Sequence, residues 1–450
     1  MPDSANAAAV EVVPGDEVRG SIRPPGSKSL TNRALLCAAF AQGSSRLTGA
    51  LRSEDTLVMT EALRKIGIDI QDSRAGRTLS VRRPTDWAPP TDSEATALYI
   101  ANSGTTIRFL TAALSAAGGN YRLHGVPRMH ARPIGDLIEA LAPVQAGTIV
   151  AESERGCPPV VIDSTGWQDD GIAVAGNVSS QYLSGLMMSS PIADRKVTIQ
   201  VTGELVSLPY VRMTADVMRS FGATVDIRGA DDTNENVSIV IEKGGYTGRD
   251  YGIEPDASAA SYFWAAAAIT GGEVTVEGLN TTAMQGDVGF CDVLRQMGCS
   301  VSECDDSMTV IGGPLTGIDV DMNAISDTVQ TLAVVALFAR SPTRVRGVAH
   351  NRFKETDRIG DLACELRKLG AAVDEHEDGL TIHPPTSLKP ATLETYHDHR
   401  MAMSLSLAGL KASGVRILNP SCTAKTYPEF FADLENLTGR AHRWTALETS

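Results

Sequence analysis

Six short polar clusters, each just ahead of an apolar stretch, hold most of the chemistry-bearing residues of this chain. They read Gly26-Ser27-Lys28-Ser29, Asn102-Ser103-Gly104-Thr105, Ser179-Ser180-Gln181, Asp256-Ala257-Ser258, Ser326-Asp327-Thr328 and Asp398-His399-Arg400. Ser, Asn and Asp in front of an apolar run read as helix N-caps, and helix N-termini present N–H groups and partial positive charge. Several of them aimed at one place make an anion site. Cations accompany them. Arg33 follows Lys28, and Arg108 lies about one turn beyond Gly104, where glycine lets a ligand approach the backbone. Arg128 and Arg132 precede an amphipathic helix; one is expected to be functional and the other a solvated charge. Lys354-Glu355-Thr356-Asp357-Arg358 is expected to open a helix with Lys354 and Arg358 on one face, where cations oppose the macrodipole and so need an anion. Asp398-His399-Arg400 precedes a wholly apolar helix, and Lys425 lies just before another. Gly26-Ser27-Lys28-Ser29 is not a P-loop, because Ser27 separates the Gly from the Lys. Asp327 reads in two ways, as the N-cap of an Ala/Val/Leu helix or as a carboxylate that holds and deprotonates a substrate hydroxyl.

What surrounds these clusters narrows the function. With 42% hydrophobic and 21% charged residues over 450 positions, the composition is that of a globular protein of two or more domains. A net charge of −14 argues against nucleic acid bound on a broad basic face. No apolar run approaches the roughly 18 residues needed to span a membrane. The acidic first twenty residues lack the features of a signal or transit peptide. Seven scattered cysteines without a C-x-x-C pair suggest reduced thiols, not disulfides or zinc, and a cytoplasmic location.

Elements must then hold the clusters in place. They recur near residues 27, 103, 179, 256, 326 and 397, a period of roughly 70 to 77 residues. Each leads into a small-residue apolar helix, then a short strand closed by Gly, then an amphipathic helix with apolar residues at i, i+3, i+4 and i+7. Met59, Ala62, Leu63 and Ile66 fit that template, as do Ile359, Leu362, Ala363 and Leu366; the third copy, around Met213 and Val217, fits only loosely. The sixth copy runs out of chain, and both N-terminal strands, 10–13 and 18–23, are expected to complete it. The expected architecture is α/β: residues 27–247 form one domain of three repeats and residues 1–26 with 248–450 the other. Each has pseudo-threefold symmetry and helix N-termini facing a cleft, and crossovers near Pro24-Pro25 and Gly244-Gly245 are expected to act as a hinge.

In order along the chain, these motifs resemble the enolpyruvyl transferase family, in its 3-phosphoshikimate 1-carboxyvinyltransferase (EPSP synthase) branch. The matches are the four clusters at 26–29, 102–108, 179–181 and 398–403 together with Pro127-Arg128-Met129, Val206-Ser207-Leu208-Pro209-Tyr210, 354–358 and Thr423-Ala424-Lys425-Thr426. The resemblance implies two inside-out, barrel-like domains, each of three βαβαββ units. It also implies transfer of the enolpyruvyl group of phosphoenolpyruvate to the 5-hydroxyl of shikimate 3-phosphate, through a tetrahedral intermediate. By the same resemblance, Lys28, Ser29, Arg33, Ser179, Ser180, Gln181, Ser207, Tyr210, Asp327, His350 and Lys354 contact shikimate 3-phosphate. Lys28, Gly104, Arg108, Arg128, Gln181, Arg358, His399, Arg400 and Lys425 hold or adjoin phosphoenolpyruvate. Asp327 is then the proton acceptor and Glu355 the proton donor, with Lys28 between the substrates. No cofactor or metal is expected, because Lys and Arg already neutralise the phosphates; nor is any partner beyond the two substrates, and the protein is expected to be a monomer. Family members often carry Asn where His350 stands, so either His350 or Asn351 can supply that contact. Phe109 replaces a common Pro, and the mixed motifs leave glyphosate sensitivity open. Two other readings compete. A UDP-N-acetylglucosamine enolpyruvyl transferase is disfavoured because Cys157 lacks the reactive-loop context and Ser29, not Asn, follows Lys28. An RNA 3′-phosphate cyclase-like module is disfavoured by the acidic charge and the lack of stacking aromatics near the motifs.

Overall fold

The computed structural model describes residues 7–73, 77–176, 179–203, 205–230 and 237–446. It divides into two compact units, Gly26–Ile253 and Met1–Pro25 with Glu254–Ser450. The boundary expected at 247/248 lies at 253/254, because Asp250–Gly252 pairs in parallel with Ser44–Thr48 inside the first unit.

Each repeat carries two helices. In the first unit they are α1 (Lys28–Ala39), α2 (Glu54–Lys65), α3 (Gly104–Ala117), α4 (Gly135–Leu141), α5 (Ser180–Ser189) and α6 (Leu208–Ser220). In the second they are α7 (Ala257–Thr270), α8 (Phe290–Gln296), α9 (Val329–Ala336), α10 (Gly360–Lys368), α11 (His399–Ser406) and α12 (Phe430–Thr438). Five of the six polar clusters cap a helix as their residue types require. Ser27, Ser103, Ser179, Asp256 and Asp398 accept from the backbone N–H of Leu30, Thr106, Gln181, Ala259 and Arg400. The exception is Asp327, which sits in a 3₁₀ turn, Asn323–Thr328; the N-cap position of α9 falls to Thr328, which makes no side-chain cap bond. A second expectation also fails. Lys354 to Arg358 lie in bends and turns ahead of α10, so helical spacing does not put the two cations on one face. Asp357 starts the helix instead, accepting from Ile359 and Gly360 N–H at 3.0 Å each.

Among the described residues each unit has three four-stranded sheets of one design, and the first also has a two-stranded parallel pair, Ala41–Gln42 with Tyr246–Thr247. Thr96–Tyr99 runs parallel to Gly119–His124, which pairs antiparallel with Val160–Trp167, which in turn pairs antiparallel with Gln145–Ala151. That order is what a βαβαββ chain makes. Strands such as Val197–Thr202 and Ser44–Thr48 alternate buried and exposed, which leaves one face of the strand wet. The first helix of each repeat packs inside, and every residue of α7 is buried. Hydroxyls join the three inner helices of the second unit, Ser261 to Thr331 at 3.1 Å and Thr331 to Ser404 at 3.3 Å. Gly298, at φ 112°, ends α8, and a Cβ there would meet the Pro314 carbonyl oxygen at 2.7 Å.

The N-terminal strands divide their work differently from expectation. Ala7–Glu11 enters the sixth repeat between Val415–Leu418 and Arg443–Ala446, so the end of the chain supplies the outer strand. Arg19–Ile22 instead joins the fourth repeat, parallel to Glu273–Glu277. The helix whose apolar spacing fits the template only loosely, α6, is regular over 13 residues. Thr214, a polar residue at a buried position, blurred its apolar stripe.

Candidate active site

In the first unit the polar helix openings hold cations by their own chain. Lys28 Nζ lies 3.5 Å from Asp55 of α2, both side chains largely buried. Arg33, one turn further into α1, is buried and braces three helices. Its Nε donates to Thr214 of α6 at 2.8 Å, and its two terminal nitrogens to Ser184 of α5 and the Ser29 carbonyl, each at 3.1 Å. Burial draws its pKa down to about 10. Thr214 is thus structural support for the site, and Thr214→Val keeps the shape while leaving the buried Nε–H without an acceptor. The expected cost is about 1–3 kcal/mol, a fall of about 3–8 °C in the melting temperature. A differential scanning calorimetry trace unchanged from wild type would remove that role.

Gly104 opens α3 between two guanidinium groups. A Cβ at this position would run into the Arg132 guanidinium and meet Arg108 at 2.8 Å, so only glycine leaves both in place. Arg108 donates to the Gln181 side-chain oxygen and stacks over Tyr182, whose hydroxyl donates to the Pro133 carbonyl at 2.6 Å. Gln181 in turn donates to Thr105 at 3.3 Å, so the openings of α3 and α5 are tied together. Of the paired arginines, Arg132 is buried and donates to the Asn102 carbonyl at 3.0 Å, whereas Arg128 is exposed. Their separation into one bracing and one outward group follows from the 3₁₀ turn Met129–Ala131 between them. Ser179, Ser180 and Gln181 are half-buried at the start of α5. Ser207, at φ 58°, heads α6 with Tyr210 in its first turn, a strained position of the sort that clusters at functional sites.

The second unit gathers its residues more tightly. Arg358, 2% exposed, forms a fork with Asp398, Nε at 2.7 Å and one terminal nitrogen at 3.1 Å. The same guanidinium reaches Glu355 at 2.9 Å and Asp327 at 3.4 Å. Arg400 meets Asp327 at 2.7 Å, and Lys425 meets Glu355 at 2.9 Å. Burial works against the charge of Arg358, yet Asp398 and Glu355 hold its pKa above the usual guanidinium range. Asp398 does double duty, as partner of Arg358 and N-cap of α11. Its signal in the sequence was an acid placed directly before His399-Arg400 at a buried helix start. His399 is buried beside it, its Nδ1 3.7 Å away.

Between the two candidates left open, the geometry separates His350 from Asn351. Asn351 is fully buried and its amide donates to the Ser326 carbonyl at 3.0 Å, which anchors the turn carrying Asp327. His350 is only partly covered; burial, and then the charge of Lys354, lower its pKa to about 4, so it is neutral at physiological pH. Neutral imidazole has one N–H donor and one acceptor, which suits a hydroxyl.

The arrangement in each unit is therefore a set of fixed cations built for anions, and the second unit adds two carboxylates, Asp327 and Glu355, set among them. The model of one family, EPSP synthase (3-phosphoshikimate 1-carboxyvinyltransferase), matches residues 12–434. The chloroplastic 3-phosphoshikimate 1-carboxyvinyltransferase of Arabidopsis thaliana is 44% identical over 448 residues, covering 96% of this chain and 85% of its own. The protein of that name from Marinomonas sp. (strain MWYL1) is 42% identical over 426 residues, covering 94% of this chain and 98% of its own. Among solved structures, an EPSP synthase from Acinetobacter baumannii matches with a TM-score of 0.77 at 28% identity, over 97% of this chain and 99% of that one. The enolpyruvyl transferase NikO from Streptomyces tendae shares the fold, with a TM-score of 0.74 at 19% identity over 98% of this chain and 100% of that one.

Proposed function

This chain belongs to the EPSP synthase family, the 3-phosphoshikimate 1-carboxyvinyltransferases, and on that premise we propose which of its residues carry the reaction. The enzyme transfers the enolpyruvyl group of phosphoenolpyruvate to the 5-hydroxyl of shikimate 3-phosphate and releases phosphate, a step of the shikimate pathway. Lys28, Ser29, Ser179, Ser180, Gln181, Ser207 and Tyr210 hold shikimate 3-phosphate, with Asp327, His350 and Lys354 contacting the same substrate. Arg33 belongs to this set, with three of its N–H donors already spent on bracing the helices around Ser29. Arg358, Arg400 and Lys425 grip phosphoenolpyruvate, with Lys28, Gly104, Arg108, Arg128, Gln181 and His399 completing its surroundings.

One observation supports the assignment of acid and base. The three cations Arg358, Arg400 and Lys425 are paired with Asp327 and Glu355. An incoming phosphoenolpyruvate competes for those cations, and a carboxylate that loses a cationic partner becomes more basic. Glu355 then takes up the proton that it delivers to the methylene carbon. Asp327 likewise gains the basicity to remove the proton of the 5-hydroxyl as oxygen attacks the resulting oxocarbenium-like carbon. The tetrahedral adduct collapses by expelling phosphate and returning a methyl proton, which restores the enol ether. Fixed cations stabilise the charge that develops on the leaving phosphate. The seven cysteines are unpaired, and we read the protein as a cytoplasmic monomer on that chemistry and on the presence of both cation sets in one chain.

Phosphate release measured with both substrates, and with each alone, tests the reaction. Release is expected only with both; release supported by phosphoenolpyruvate and UDP-N-acetylglucosamine would move the protein to the other branch.

A further inference from the structure

Behind Arg400 lies a carboxyl that the reaction as described does not use. Asp287, 5% exposed, sits in the 3₁₀ turn Gly286–Gly289 that wraps the start of α7. Its neighbour Gln285 accepts from Ala257 N–H at 3.1 Å and donates to the Pro255 carbonyl at 2.7 Å, which pins the turn against the helix start. The Ser258 hydroxyl donates to Asp287 and receives a long contact from Arg400 at 3.5 Å. The same Arg400 nitrogen donates to Asp327 at 2.7 Å. A chain of polar contacts thus runs Asp287, Ser258, Arg400, Asp327, and three of its four members are buried.

We propose that Asp287 is a positioning residue for enolpyruvyl transfer, acting through Ser258 to set how the Arg400 guanidinium is divided between Asp327 and the phosphoenolpyruvate anion. This rests on the assignments of Arg400 and Asp327 above. The charges that act on Asp287 come from three elements. At the start of α7 there is Asp256, on the adjoining 3₁₀ turn Asp327, and from α11 Arg400. On α8 Asp292 and Arg295 pair with each other at the surface. Burial, and then the negative charge of Asp327, raise the Asp287 pKa to about 7. The carboxyl therefore changes charge where the enzyme works. Neutral, it leaves Arg400 to Asp327 or the substrate. Ionised, it draws the guanidinium toward Ser258 and partly cancels its charge, which weakens the hold of Arg400 on the phosphoenolpyruvate anion and so lowers transfer.

Asp287→Asn mimics the neutral carboxyl at every pH. The measurement is kcat/KM for phosphoenolpyruvate from pH 6 to 8.5, expressed as wild type over variant, so that the ionisations of the substrates cancel. The ratio is expected to fall about fivefold or more with a midpoint near 7, as one unit charge at this range dictates. A ratio that is level or rises across the range overturns the proposal, since a residue that only braces the fold has no reason to follow pH. If the Asn variant does not accumulate as folded protein, Ser258→Ala cuts the same chain of contacts and is expected to lose most of the wild-type alkaline fall; keeping it in full also overturns the proposal. The wild-type rate decides the reaction separately. With no rate at any pH both assignments fall, whereas a level ratio on an active enzyme removes Asp287 alone.

Discussion

Asp327→Asn is expected to lower kcat by about 10³-fold, within the range that loss of a general base costs, while phosphoenolpyruvate binds as well as to wild type or more tightly. The split follows from the two jobs of this carboxylate. In the proposed mechanism it removes the proton of the attacking hydroxyl, and it also pairs with Arg400 at 2.7 Å and Arg358 at 3.4 Å. An amide cannot accept that proton, and it competes for the guanidinium groups without a negative charge. Steady-state rates combined with titration calorimetry separate the effects. A variant with wild-type turnover would falsify the base assignment. One with equal losses in rate and binding would instead make Asp327 chiefly a structural counter-ion.

Arg358→Ala is expected to damage both stability and activity. The side chain is buried and satisfies Asp398, itself fully buried, through two bonds, with Glu355 held by a third. Removing it takes a cationic partner away from buried negative charge, which costs about 3–5 kcal/mol. For a unit of this size that is a fall of about 10 °C in the melting temperature. The specificity constant for phosphoenolpyruvate should drop by about 10²-fold or more, as expected when a donor aimed at developing charge is lost. Arg358→Lys should recover part of the stability and little of the activity, because a point charge cannot reproduce the fork to Asp398. Calorimetry and the phosphate-release rate, run on both variants, check the pair. An Ala variant that melts with wild type would mean that Asp398 and Glu355 find other partners.

The two results share a cause, since cations and carboxylates in the second unit are mutual partners. Such an ion cluster costs desolvation to assemble and adds little net stability. Its use lies in holding Arg358, Arg400 and Lys425 at fixed positions, ready for an anion that trades places with Asp327 and Glu355. The first unit holds two of its arginines differently, Arg33 on hydroxyls and a carbonyl and Arg108 on an amide and two carbonyls, while its Lys28 again faces a carboxylate, that of Asp55.

The repeat and five of the six helix caps were legible in the amino-acid order, because capping and amphipathic periodicity are local properties. Ser27, Ser103, Ser179, Asp256 and Asp398 are N-caps by residue type and by position relative to an apolar run. What only the tertiary structure decided depends on partners far apart in the chain. Thr214 looked like a flaw in α6 until Arg33, 181 residues away, proved to need it. Asp327 reads by type as a cap, yet its carboxylate meets two arginines, 31 and 73 residues on. Arg128 and Arg132 are indistinguishable as letters, and the turn between them buries one and exposes the other. The N-terminal strands could not be assigned from their own residues, because any open place in a sheet offers backbone hydrogen bonds whatever the side chains. Their places, one in the sixth repeat and one in the fourth, were set by which sheet lacked a strand. Local chemistry wrote the helix starts; pairing across hundreds of residues determined which charges meet.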